Sequence, residues 1–328
     1  MSVFLLIHST CKGGEWDCVD KPCPGKCEVY GNGHYQTFDS KWYDFNGNCQ
    51  YSLVEDNCGR GNGTFSIRAE SVPCSQEKLT CSRRIILDLQ GNITLKLDDL
   101  EVKQNDNGVE PPYSVHTIGL YFMISVPSLD ISVIWDKHTR VTIILGERWK
   151  NKVCGLCGNF NSNEKDDLQI RGSMEKAGVL ASANSWKMPT PQCSDVVVEQ
   201  FPCERFSYCT NWAERRCMII SGEIFKACHP KVDYSPYYDA CVKEACSCNM
   251  EGVFLGFCTA VAAYAEACCE EGVSVKWRTP DRCPVYCDYY NEENQHSPGA
   301  AWHYKSCGMM ETKTCAKNNH FSRKLEGS

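Results

Sequence analysis

The chain has 328 residues, and its 34 Lys+Arg against 41 Asp+Glu leave a net charge of −7. That length allows two or three domains with buried cores, and the acidic balance excludes the basic footprint of a nucleic-acid binder. Twenty-five cysteines point to an oxidising compartment with disulfides as staples.

Zinc is the competing use of so many cysteines. Cys154/Cys157 is the one C-x-x-C, however, and no second pair with ligand spacing follows it. An odd count leaves at least one thiol free, or bonded to another chain, unless the chain is incomplete.

Val3–Ile7 is apolar but short for a signal-peptide core and lacks a basic flank, so secretion to the extracellular space is inferred from the cysteines. No run approaches the length of a membrane span. Asn62-Gly-Thr64 and Asn92-Ile-Thr94 are glycosylation sequons that fit a secreted chain.

Residues 1–27 carry Cys11, Cys18, Cys23 and Cys27 among Gly, Pro and Lys, and read as a short disulfide-held lead-in. From Val29 onward, short aromatic and β-branched runs are broken by Asn-Gly and Gly-Asn, the grammar of strands and hairpins. Thr64–Glu70, Arg84–Leu89, Ile93–Leu97, Tyr113–Thr117, Leu120–Val126, Ile131–Trp135 and Arg140–Leu145 are strand-like. The alternation of Ile93, Leu95, Leu97 and of Val141, Ile143, Leu145 predicts one buried and one wet face. An antiparallel β-sandwich over 28–195 follows.

Its last hairpin delivers the chain into Cys154-Gly-Leu-Cys157-Gly-Asn-Phe-Asn-Ser-Asn-Glu-Lys-Asp-Asp167. Oxygen donors recur with period two at Asn159, Asn161 and Asn163, and the Asp166/Asp167 pair closes the run. Ca²⁺ takes six to eight such oxygens at about 2.3–2.6 Å. A polar surface turn has the same composition; the adjacent cysteines, able to pin the loop, favour calcium. A thioredoxin-like use of Cys154/Cys157 lacks the strand–C-x-x-C–helix context, and no Gly-x-Ser-x-Gly elbow is present. Asp39, Asp44 and Asp136 have the form of catalytic carboxylates, but acids in hairpin turns are usually solvated or metal-bound.

At about Phe201 the spacing becomes helical, in Trp212–Ile220, Tyr237–Cys246 and Phe257–Cys268. Residues 196–290 are therefore read as a small disulfide-rich α-domain. Residues 291–328, with Cys307 and Cys315, read as a truncated cysteine-rich module and polar tail.

Gly33-His-Tyr-Gln-Thr-Phe-Asp39, Tyr43-Asp-Phe-Asn-Gly-Asn-Cys49-Gln-Tyr51, Val133-Ile-Trp-Asp136 and Cys154-Gly-Leu-Cys-Gly-Asn-Phe160 together resemble a von Willebrand factor type D domain. The helical segment resembles the eight-cysteine domain that follows it, and Trp302-His-Tyr-Lys-Ser-Cys307 the start of a trypsin-inhibitor-like module. Cys283-Pro-Val-Tyr-Cys287-Asp-Tyr-Tyr and Cys23-Pro-Gly-Lys-Cys27 resemble gel-forming mucins, especially the third assembly of the gastric type.

That resemblance implies non-catalytic, structural work in a secreted mucin-like glycoprotein, with other mucin-type copies or domains as partners. A binding module of an adhesive matrix protein and a protease inhibitor are the alternatives. It also implies a structural calcium held by Asp39, Asn159, Asn161, the Asn163 carbonyl, Asp166 and Asp167, expected to rigidify the junction with the helical domain. Some type D domains cleave themselves at Gly-Asp-Pro-His; Gly31-Asn-Gly-His34 lacks both Asp and Pro, so no autoproteolysis is expected. The family's inter-chain cysteines fall on Phe254 and Ala300, which implies association without those bonds. Cys269 has no obvious family counterpart and is a candidate unpaired thiol; the preferred reading gives it an internal partner, for which mucins usually have a cysteine at Ser274.

Overall fold

The computed structural model describes residues 7–12, 15–20, 24–59, 63–73, 80–90, 93–98, 101–105, 111–173, 175–190, 193–199, 201–205, 207–246, 252–287, 303–312 and 321–327. Asn62, Asn92, Ala300 and the Phe254 side chain lie outside them.

A hairpin of β1 (Ile7–Lys12) and β2 (Glu15–Asp20) comes first. Strands β3 (Gly25–Tyr30), β4 (His34–Gln36), β5 (Trp42–Asp44), β11 (Ser114–Ile118), β12 (Tyr121–Val126), β13 (Ile131–Trp135) and β14 (Val141–Leu145) form an antiparallel sheet in the order β11-β12-β13-β14-β3-β4-β5. Strands β6 (Gln50–Glu55), β7 (Phe65–Pro73), β8 (Thr80–Leu89), β9 (Ile93–Asp98) and β10 (Glu101–Asn105) form a second antiparallel sheet in sequence order. Cys27, counted with the lead-in by sequence, is a β3 residue opposite Ile143.

The sandwich core is what the alternation demands. Leu53, Ile67, Ile85, Leu87, Leu95 and Leu97 from one sheet meet Val133, Trp135, Val141, Ile143 and Leu145 from the other, all fully buried. Each such side chain contributes about 1.5–3 kcal/mol on burial. Strand β9 keeps the expected wet face, with Lys96 exposed between Leu95 and Leu97.

Strand β14 does not. All five residues of β13 and of β14 are buried, because the outer face of the seven-stranded sheet is covered as well. Ile134 and Ile144 pack there with Tyr121 and Met123 against Leu325. Leu325 belongs to a hairpin of β15 (Gly308–Thr312) and β16 (Phe321–Leu325) at the far end of the chain. Local alternation cannot report such a distant cover.

The rest is helical: α1 (Val179–Ser185), α2 (Pro202–Arg205), α3 (Thr210–Ser221), α4 (Ser235–Ala245) and α5 (Gly252–Glu270). Small residues such as Ala213, Ala260 and Ala263 let the last three helices approach closely, and their core adds Phe225, Tyr264 and Trp277. Disulfides reinforce this small core. Cys217–Cys241 joins α3 to α4, Cys203–Cys246 joins α2 to the end of α4, and Cys228–Cys268 and Cys258–Cys283 hold α5. No helix among the described residues is long and apolar enough to cross a membrane.

The two cores interlock. Tyr30 of β3 is buried in the helical core, and Trp42 of β5 meets Tyr237 of α4 edge-on at 4.9 Å. Arg140 donates to Glu266 of α5 at 2.5 Å and to Tyr121 Oη at 2.8 Å, and Lys26 reaches Glu270 at 3.1 Å.

Candidate metal centre

The Cys154–Cys157 turn is fixed before any ligand is considered. Its cysteines bond outward rather than to each other: Cys58–Cys154 ties it to the β6–β7 loop, and Cys27–Cys157 to β3. A dithiol redox pair and a zinc pair are both excluded by that connectivity. The turn also continues the sheet edge, since the N–H groups of Cys154, Leu156 and Cys157 donate to the carbonyls of Glu55, Ser52 and Leu53 at 2.9–3.1 Å. Gly158 has φ +81°, and a Cβ there would sit 2.1 Å from Asp167 Oδ1. Only glycine lets the loop close on this carboxylate.

Asp39 comes from the turn after β4 and accepts from the backbone N–H groups of Asn161 at 2.9 Å and Ser162 at 2.6 Å. The Phe38 N–H donates to the Cys157 carbonyl at 3.1 Å, and the Phe38 and Phe160 rings pack 5.5 Å apart. Asp167 accepts from the Thr37 hydroxyl at 2.6 Å and the Asn159 N–H at 3.3 Å. Asp166 accepts from the side-chain amides of Asn159, Asn161 and Asn163 at 3.0–3.2 Å. Asn163 also caps the short 3-10 turn Glu164–Asp166, and its carbonyl accepts from the Asp166 N–H at 3.3 Å. All six expected residues are brought together. Thr37, Ser162 and Gly158 were not foreseen; a hydroxyl two residues before Asp39 and a glycine after the second cysteine were the available signals.

Two observations test whether these residues fit a cation. Burial, reinforced by the charge of nearby Asp39, pushes the Asp167 carboxyl up to about 7. Among the described residues no lysine or arginine pairs with Asp39, Asp166 or Asp167. Asn159 Oδ1 is buried with no hydrogen-bond partner. Such an orphan acceptor costs about 1–3 kcal/mol, and a hard cation would relieve both it and the crowded carboxylates. No three His, Cys, Asp or Glu side chains among the described residues converge on one metal position, so a cation here would depend on amide oxygens as much as on acids. Turning a side-chain amide exchanges its NH₂ for an oxygen of nearly equal size. The residues fit.

The acids once considered as catalytic have structural partners. Asp44 meets His34 Nδ1 at 2.7 Å and also binds Lys243. Asp136 accepts the N–H groups of His138 and Arg140 at 2.8 and 2.9 Å. The junction with the helical domain is not at the metal loop, contrary to expectation. Every contact of the loop named above stays within the sandwich, whereas the junction is made by His34, Arg140 and Lys26 with Glu244, Glu266 and Glu270. Of the two readings of Cys269, the internal partner holds and the unpaired thiol does not: it bonds to Cys307, S–S 1.98 Å, because α5 ends beside the β15 hairpin. Ser274 Oγ lies 2.9 Å from Ser306 Oγ next to that bridge. The free cysteine among the described residues is Cys287.

The von Willebrand factor type D domain family matches residues 27–173, and the C8 domain family residues 216–284. The chain is 50% identical to Mucin-19 of Mus musculus over 97% of its own length, 44% identical to Mucin-2 of Homo sapiens over 94%, and 42% identical to Mucin-5AC of Homo sapiens over 93%. It spans only 4%, 6% and 5% of those three proteins. The chain thus carries a von Willebrand factor type D domain followed by a C8 domain, and it is similar to mucins along nearly all of its own length.

Proposed function

We propose that the chain is a structural, non-catalytic module of a secreted mucin-like glycoprotein, acting in the assembly or organisation of extracellular mucus. The observation that carries this is the identity to mucins across nearly the whole chain, and the dense disulfide framework supports an oxidising, extracellular setting. Its partners are other mucin-type domains or copies of itself. The cysteine positions of the family's inter-chain bonds are Phe254 and Ala300 here, so association is non-covalent.

A structural calcium is part of this reading. Asp39, Asp166 and Asp167 would supply charge, and the amide oxygens of Asn159 and Asn161 with the Asn163 carbonyl would complete an oxygen shell. The ion would neutralise the buried acids and hold the 159–167 loop to the β4 turn; it has no reactive role. Asn161 replaces what is often an Asp in the family, which reduces the site's charge by one. The assignment is tested by sedimentation of the secreted protein with and without calcium, alone and mixed with the amino-terminal assemblies of a mucin. Concentration-dependent association with either supports it. Monodisperse behaviour in every mixture at tens of micromolar contradicts it.

A further inference from the structure

The turn between β3 and β4 reads Gly31-Asn32-Gly33 and is the point at which α4 docks on the sandwich. Glu244 of α4 accepts the Asn32 N–H and its side-chain amide, both at 2.7 Å. Asn32 Oδ1 accepts the Thr80 N–H at 2.8 Å. Gly33 has φ +135°, and a Cβ there would meet the Phe45 carbonyl oxygen at 1.9 Å, so glycine is required. The sequence constraint thus places an Asn-Gly pair, chemically the most labile setting for an asparagine, inside a domain junction.

We propose that Asn32-Gly33 is a deamidation site gated by the docking of α4. In the reaction, Gly33 N loses its proton and attacks Asn32 Cγ. The N–Cγ bond forms, the Cγ–Nδ2 bond breaks, and ammonia leaves with the proton. Water then opens the succinimide to aspartate or isoaspartate. In the docked state both reactants are tied: the carboxamide is held at Nδ2 and Oδ1, and the Gly33 N–H donates to the Tyr30 carbonyl at 3.3 Å. Undocking α4 frees the carboxamide on its Glu244 side. The product cannot redock equally well, because the new carboxylate faces Glu244 where an N–H donor stood. Gating therefore makes the loss of docking progressive and one-way.

The test follows +1 Da conversion in the tryptic peptide of residues 27–41 by mass spectrometry, after incubation at pH 8 and reduction. Three samples are compared: native protein, the Glu244→Gln variant and the free synthetic peptide. Two bonds to a charged acceptor slow release by roughly a hundredfold, so native protein is expected to convert about that much more slowly than the peptide. Glu244→Gln should convert at least about tenfold faster than native. Native conversion at the peptide rate overturns the proposal, as does a folded Glu244→Gln protein no faster than native. If that variant is not secreted, Asn32→Asp supplies the second measurement. It should be cut faster than wild type by protease between Cys193 and Cys203, and equal cutting rates overturn the one-way gate.

Discussion

His34 Nε2 lies 2.8 Å from Glu244 Oε1, joining β4 to α4 across 210 residues of sequence. The ring is buried, its other nitrogen meets Asp44 at 2.7 Å, and Phe201 stacks on it at 4.9 Å. Two carboxylates at the two ring nitrogens define a charged imidazolium. Burial pulls its pKa down, but the hydrogen bonds to Asp44 and Glu244 outweigh this and lift it from 6.5 to about 9.

A pH dependence follows with a definite sign. A group whose folded pKa is raised contributes fully below its unfolded value, here 6.5, and the contribution is lost as pH rises through about 9. Asp44, lowered from 3.8 to about 2, contributes above 3.8 and loses this as pH falls through about 2. Docking of α4 is therefore strongest between about pH 4 and 6.5, and weakens by an amount on the order of 3 kcal/mol toward pH 9. Thermal melts of wild type and His34→Gln across pH 5.5–9.5 check this. The wild-type curve should fall toward the variant's as pH rises; parallel curves contradict it.

Arg140 is 3% exposed and pairs with Glu266, which is 1% exposed. Removing the arginine leaves Glu266 buried without its paired cation, at a cost of about 3–5 kcal/mol, while nearby Glu28 keeps Lys26 at 3.3 Å. Arg140→Met should lower the urea midpoint markedly, and Arg140→Met with Glu266→Leu should recover much of the loss. A double variant no better than the single one would show that the charge pair is not the source of the effect.

Gly158→Ala forces a side chain into left-handed backbone and onto Asp167 Oδ1, costing about 1–3 kcal/mol. The loss should appear as lower stability together with weaker calcium binding. Gly172, also at positive φ but with open space around its Cβ position, is the control: Ala there should leave calcium binding unchanged. Equal calcium affinity in Gly158→Ala and wild type would refute the closure of the loop on Asp167.

Secreted protein on a non-reducing gel should run as a monomer, since the cysteines the family uses between chains are Phe254 and Ala300 here. A reducible dimer that disappears in Cys287→Ser would overturn non-covalent association.

The sandwich was legible because its strands carry their own pattern. Ile131–Trp135 was read to the residue, and the three main helices were placed by spacing and alanine content. The covered face of β14 and the strap formed by β16 were not, since Leu325 lies 181 positions beyond Ile144 and belongs to a polar-looking tail. The metal loop was half legible: Asn159, Asn161, Asn163 and the acid pair lie in one short run, whereas Asp39 is reached only through family resemblance and Thr37, two residues before it, was missed. An internal bond for Cys269 was expected, but its partner Cys307 was not named, because pairing is decided by where α5 ends in space, which spacing along the chain does not encode.

The central claim is that Asp39 and the 159–167 loop hold a calcium ion that stabilises the sandwich. Its most direct test is the melting temperature of wild type and Asp167→Ala, each with calcium and with excess chelator. A ligand bound only by the folded state adds about 2.7 kcal/mol at a hundredfold excess over its dissociation constant. The wild type should therefore melt several degrees higher in calcium, and the variant should melt low in both conditions. An unchanged wild-type melt on chelation, or a calcium shift of equal size in Asp167→Ala, would contradict the assignment.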